Sequence, residues 1–401
     1  MKKTAAIACI ALMTAATTAT TTTMQAQTLF PRQQEEIQKN NPTLAAERQQ
    51  AEATMADNLT GLGLGNPEVG FTYMWGVEKE TPNRINVEVM QPFDFATLSG
   101  AKKRAAKADN GVIRAGLAAS RQQLAQQAEE TLIEYIYQSQ LCSELTLQVK
   151  HLTDLAAYAK EALDNSKITL LEYDQIEMEL LKSQNALETA KVDLEAARLT
   201  LTALNGGKPL SDMPQEWPEA ALPASFDQWA AEAARLNPEL QTMQAQIEAD
   251  KAQIDLRKKE GLPDFSAGYT NELVRGANLH GFAINFSLPL WGNHGRVKAA
   301  EAVRASNVMA LQTATDQFTA LKRAEYDKVQ LLEKSARMYG NFYERLKKVN
   351  DSHLKGAVEG GTITIFEYMT QQEDFFEHAL TYLQARRDYL QGRVALYAPT
   401  L

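Results

Sequence analysis

Cysteine is nearly absent from this chain: two in 401 residues, Cys9 in the first apolar run and Cys142 far downstream. Cys9 lies in a segment expected to be removed, so Cys142 has no partner and an intramolecular disulfide is excluded. Aromatic residues make up only 7%. Long stretches are instead Ala, Gln, Glu, Leu and Lys, a composition that favours extended helices over a large compact core. No segment holds about 18 consecutive apolar residues, so no transmembrane helix is expected and a membrane role falls to strands. Positive charge is in deficit. Without Lys2 and Lys3 of the leader the chain has 39 Lys+Arg against 50 Asp+Glu, a balance of −11, which argues against a nucleic-acid partner. Five histidines, His151, His280, His294, His353 and His378, lack metal-ligand spacing, and there is no nucleophile elbow, phosphate loop or nucleotide fingerprint. No enzymatic activity, metal or cofactor is expected.

What is present begins with a leader. Met1 to about Ala26 has a basic start, an apolar run from Ala5 to Ala16 and a Thr-rich tract ending in MQAQT, the pattern of a secretory signal peptide cleaved near Ala26. Cleavage at Cys9 would leave too short an apolar run, so no lipid-anchored cysteine is expected.

Behind the leader the chain is written twice. KITLLEY, Lys167 to Tyr173, returns as TITIFEY, Thr362 to Tyr368, an offset of 195 residues between Tyr173 and Tyr368. Asn41-Pro42 returns as Asn237-Pro238, Pro67 and Tyr73 as Pro263 and Tyr269, Pro92 as Pro289, and Gly100 as Gly295, all at nearly the same offset. The expected division is a leader over 1–26, a first repeat over 27–204, a linker over 205–227 and a second repeat over 228–401. Strands are expected over about 67–75, 84–93, 264–272 and 281–290, and helical hairpins over about 98–204 and 296–398. The linker NGGKPLSDMPQEWPEAALPASFD carries four prolines and two glycines. The long helix from Leu98 to Asp164 has no proline, and some 65 residues at about 1.5 Å each span roughly 100 Å.

Each heptapeptide reads as a sharp reversal between helices. Thr169 with Glu172, and Thr364 with Glu367, are Thr-x-x-Glu capping boxes, with Ile168 and Tyr173, or Ile363 and Tyr368, at the positions of a hydrophobic staple. Asn165 in one copy and Gly360-Gly361 in the other are residues that tolerate a left-handed helix end. Taken alone, these residues simply stop and start helices.

The strands alternate. Val69, Phe71, Tyr73 and Trp75 share one face, with Glu68, Gly70 and Thr72 on the other; Phe282, Ile284, Phe286 and Leu288 alternate with Ala283, Asn285 and Ser287. Such alternation over about 9 residues suits a membrane barrel in which every other side chain meets lipid, and equally a soluble sheet covered by helices. Four strands cannot close. In lipid the open edges would force oligomerisation, and three copies would supply 12 strands around an aqueous lumen, where two would give a barrel nearly filled by its own side chains.

Signal peptide, duplicated helix-strand-strand-helix-helix unit, proline-containing strand exits (VEVMQPFDF, INFSLPLWGNHGRV) and the pattern Gly-x-x-Thr-x-x-Glu at Gly361, Thr364 and Glu367 together resemble the TolC-type outer-membrane efflux proteins. The resemblance spans nearly the whole mature chain. It implies a mainly α fold with four transmembrane strands, a homotrimer with a 12-stranded barrel continued by an α-helical periplasmic tunnel, and a passive gated duct in the outer membrane of a Gram-negative bacterium. Its implied partners are a periplasmic adaptor (membrane fusion protein), an inner-membrane pump of RND, ABC or MFS type, and outer-membrane lipid. The same duct also serves type I protein secretion, and a periplasmic scaffold or adaptor subunit is the third reading.

Carried onto this chain, the resemblance puts Ser166, Thr169, Glu172, Gly361, Thr364 and Glu367 at the periplasmic tip, as adaptor contact and gate. Ser166 stands where the second copy has Gly361, a departure that weakens the first helix end. Gln175 and Thr370 occupy places that hold a further acid in some members, leaving Asp174 and Asp374 as candidate gate acids. Glu68, Glu88, Glu272 and Asn285 are candidates for the lumen face of the barrel, and Phe71, Tyr73, Trp75, Phe282, Ile284 and Phe286 for the lipid face.

Overall fold

A computed structural model describes residues 28–78, 80–94, 96–288, 295–349 and 362–401. The expected leader, Gly361, His294, His353 and the second proline exit at Pro289 lie outside the described residues.

Among the described residues, eight α-helices and four strands follow one another in two similar rounds. Helices α1 (Pro31–Asn40) and α2 (Pro42–Asp57) lead to β1 (Glu68–Met74) and β2 (Arg84–Phe93), then α3 (Ala96–Asp164) and α4 (Leu170–Leu204). The second round runs α5 (Phe226–Leu236), α6 (Pro238–Lys259), β3 (Asp264–Val274), β4 (Ala277–Ser287), α7 (Arg296–Val349) and α8 (Ile365–Tyr397). The repeated Asn-Pro pair has a local cause. Asn41 accepts from the Leu44 amide, and Asn237 from those of Glu239 and Leu240, while the following proline occupies a first-turn position whose N–H would have no partner.

The strands form one antiparallel sheet in the order β1-β2-β3-β4, so β2 of the first repeat pairs with β3 of the second. The sheet joins the repeats and leaves β1 and β4 as open edges. β4 starts four residues before the expected 281, at Ala277, because the β3–β4 connection is shorter than the gap between the expected strands. It is the two residues Arg275 (φ 43°) and Gly276 (φ 88°), both in the left-handed region that a tight hairpin with matching twist requires.

Along the helices, α3 packs on α4, α6 and α8, and α7 packs on α6 and α8. Away from the sheet this makes a row α4-α3-α8-α7 whose end helices carry exposed apolar side chains: Met178, Leu181 and Leu199 on α4, and Met309, Leu321 and Leu331 on α7. The core lies halfway down. Ile37, Leu132, Ile133, Ile136, Leu201, Trp229, Val329, Leu390 and Val394 come from both rounds and are at most 2% exposed.

The proline-rich segment expected as a linker is pinned to this core as a strap. It ends at Ser225, where α5 begins. Arg386, Tyr389 and Arg393 of α8 donate to the carbonyls of Pro218, Ala220 and Ala221, and Tyr326 of α7 donates to that of Pro223. Prolines leave many carbonyls without ladder partners, and side chains from the helices beneath supply the donors. At the start of the described chain, fully buried Glu129 of α3 accepts from the Leu29 amide at 2.7 Å and from Gln34 Nε2 at 2.8 Å, holding the segment before α1 against the core.

Candidate functional site

The candidate residues fall in two regions, the sheet and the helical tips. In the sheet, directly paired residues share a face. Val69, Val89, Tyr269 and Phe282 form one cross-strand row; Phe71 pairs with Val87, and Phe93, Phe265 and Phe286 lie in line. All belong to one face, and the rings of Phe93 and Phe265 stack at 5.5 Å. Ile284, paired with Ala267, joins it, as does Tyr73, paired with Ile85. Nothing among the described residues covers this face: Phe282 is 92% exposed, Phe286 70% and Ile284 63%. Trp75 falls one residue beyond β1, its ring 6.5 Å from that of Tyr73. From Phe265 to Leu273 the band covers about 27 Å of strand, or roughly 20 Å of height at a tilt near 40°.

The opposite face is polar. Glu68 lies opposite Met90, Glu88 between Gly70 and Thr270, Glu272 between Asn86 and Leu279, and Asn285 opposite Ser266. Arg84 reaches Glu272 at 3.4 Å. The register thus gathers Glu68, Glu88, Glu272 and Asn285 onto one face, and Phe71, Tyr73, Phe282, Ile284 and Phe286 onto the other. It also reveals a polar cluster on the apolar face near its hairpin end. Asn271 donates to Asn278 Oδ1 at 2.7 Å and lies 2.9 Å from His280 Nδ1, which Tyr269 also contacts through its hydroxyl. His280 reads in the sequence as an ordinary surface histidine; only the pairing of β4 from Ala277 onward places it here.

At the tips both capping boxes form. The Thr169 hydroxyl takes the Glu172 amide at 3.3 Å, and the Glu172 carboxylate takes the Thr169 amide at 2.7 Å; for Thr364 and Glu367 the distances are 3.1 and 2.8 Å. These bonds, the one from the threonine amide foremost, hold both carboxyls below the usual carboxylate range. The left-handed residue closing α3 is Ser166 (φ 56°), not Asn165. The Lys167 amide bonds the Ala162 carbonyl and the Ser166 amide that of Leu163, the paired bonds of a Schellman end. Ile168 and Tyr173 pack with Ile365 and Tyr368 on a cluster of Leu155, Ala159, Ile176 and Met369, so the two tips share one small core. Asp174 and Asp374 are solvent-exposed. Gln175 and Thr370 line an open groove between α4 and α8 together with Met178 and Phe366.

Among the described residues no helix is long and apolar enough to cross a membrane, and no group of three or more His, Cys, Asp or Glu side chains is placed to hold a metal.

A two-faced sheet with open edges, running into the 69-residue helix α3 of about 100 Å, is a fold shared with solved outer-membrane channels. Solved structures with this fold include the outer-membrane channel OprN, at 13% identity and TM-score 0.74, covering 93% of this chain and 89% of that one. The channel protein CusC matches at 13% identity and TM-score 0.73, covering 93% and 92%. The outer membrane protein VceC of Vibrio cholerae matches at 13% identity and TM-score 0.69, covering 92% and 96%. No protein-family model and no curated protein matches the sequence.

Proposed function

We propose that the protein is a passive outer-membrane duct for small solutes, a homotrimer whose sheets close into a 12-stranded barrel and whose helices line a periplasmic tunnel. The observation that carries this reading is the division of the sheet: an uncovered apolar face opposite a face bearing Glu68, Glu88 and Glu272, with both edges unpaired. Unpaired edges in lipid cost several kcal/mol per backbone group, which neighbouring copies remove by continuing the ladder. Helices α4 and α7, at the two ends of the helical row and both carrying exposed apolar side chains among charged ones, would extend the same contact below the membrane. A ring closed by three copies also has room for water.

In this reading the work of export is supplied by a separate pump, the sequence carrying no phosphate loop or nucleotide fingerprint. The paired tips, with Leu170, Leu171 and Phe366 exposed beside the capping boxes, are the end offered to a periplasmic adaptor and its inner-membrane pump. The channel neighbours, CusC and OprN among them, support a transport role without enzymatic chemistry. The test is single-channel conductance of the detergent-purified protein in a planar bilayer, with oligomer mass measured in parallel. A conducting trimer is the expected result. A protein that stays soluble without detergent and carries no current overturns the reading in favour of a helical scaffold.

A further inference from the structure

We propose that Glu88, folded down over Gly70, gives the lumen its preference for cationic solutes while keeping its bore open. This inference rests on the channel reading above and adds the solute class. Gly70 and Glu88 are direct cross-strand partners on the polar face. A Cβ at Gly70 would stand 2.7 Å from both Cγ and Oε1 of Glu88, so the glutamate side chain already fills the space a side chain there would take. On the other side of the same face, a Cβ at Gly268 would meet the backbone carbonyl oxygen of Val89 first and Met90 Sδ at 2.6 Å, and Met90 is only 5% exposed, the one buried strand residue among those described. The two long side chains of β2 therefore lie along the wall, one towards β1 and one towards β3.

Charge singles out Glu88. Glu272 shares its field with Arg84, and Glu68 sits at the first residue of β1, whereas Glu88 is mid-strand in a row whose other members, Gly70, Thr270 and Gly281, are small and uncharged. Three copies place three carboxylates against the wall at this level. Rings of acidic side chains in a water-filled lumen favour cations. With the side chains held down by glycine, the charge acts on passing solutes without narrowing the path.

The experiment compares wild type, E88Q, G70A and G70A/E88A as detergent-purified trimers, measuring conductance and the reversal potential in a KCl gradient. E88Q should lower the K⁺/Cl⁻ permeability ratio by about twofold or more with conductance little changed. G70A, whose methyl displaces the carboxylate from the wall, should reduce conductance, and that loss should vanish in the E88A background. If G70A does not assemble, E88Q decides alone. A conducting wild type whose selectivity is unaltered by E88Q overturns this inference and leaves the channel intact; a wild type without current overturns both.

Discussion

The sheet and the equatorial core are built on opposite terms. In the core, Leu132, Ile133 and Trp229 are enclosed by helices of the same chain, and the strap above them is bonded donor by donor to α7 and α8. In the sheet one strand residue is buried, Met90, and the largest apolar side chains point into open space. The core carries its stability within one protomer, whereas the sheet carries only its ladders and, as the proposed channel, would obtain the rest from lipid and from other copies. What a substitution does therefore depends on which region it strikes and on whether lipid is present. The core should answer to volume, the sheet to charge and side.

Leu132→Ala should have the largest effect. A fully buried leucine truncated to alanine costs about 2–5 kcal/mol through lost transfer energy and the cavity left behind. Thermal unfolding in detergent should show it, and Ile284→Ala on the uncovered face of the sheet should leave the same melting curve nearly unmoved. Equal losses at the two positions would mean that the sheet is packed against something within the chain.

Phe282→Arg tests the sides of the sheet. On a lipid-facing strand a mid-bilayer arginine costs about 2–4 kcal/mol, so this variant should fail to insert into vesicles. Asn285→Arg, three residues on and on the polar face, should insert normally. Insertion of both, or of neither, would erase the distinction between the faces.

That distinction was legible in the sequence, because alternation is local: Phe282, Ile284 and Phe286 announce their face without knowledge of any partner. The capping boxes were legible for the same reason, each being a contact over three residues. The start of β4 was not, since Arg275-Gly276 carries none of the proline or asparagine signals of a turn and Asn278 and His280 look like loop. Nor was the strap: four prolines read as a linker, and only the donors on α7 and α8, over 100 residues away in sequence, make it part of the core. Glu129, beside Glu130 in a polar helical stretch, carries no local sign of burial. Its burial depends on α1 and the segment before it, about 100 residues earlier.

Glu129 gives the core a pH dependence that the sheet need not share. Burial, opposed by bonds from the segment before α1 and by the charge of Arg393, pushes its carboxyl up to about 7. The folded state thus holds this proton more tightly than the unfolded one. Stability should be greatest below the ordinary carboxylate range, fall as pH rises towards about 7 and level off beyond, a change on the order of 3 kcal/mol. Glu129→Gln should flatten the profile between pH 5 and 8, measured as the denaturation midpoint; a wild-type profile already flat there would mean the carboxyl is ionised at no cost.

At the tips the effects are smaller and local. Thr169→Ala or Thr364→Ala should each cost about 1 kcal/mol by removing an N-cap. The loss should appear as faster amide hydrogen exchange in the first turn of α4 or α8, with the core unchanged. Acid should act in the same direction, since Glu172 and Glu367 are held below the usual carboxylate range and their caps contribute above that range and fade as pH falls through it. Ser166→Gly should act the other way. Ser166 sits at φ 56°, where an L side chain is strained and glycine is not, so the glycine variant should slow exchange at the end of α3 by relieving up to about 1 kcal/mol. If the first tip instead exchanges faster with glycine, the left-handed turn at Ser166 is not the conformation that closes the hairpin, and the first tip ends in some other way than the Schellman turn placed there.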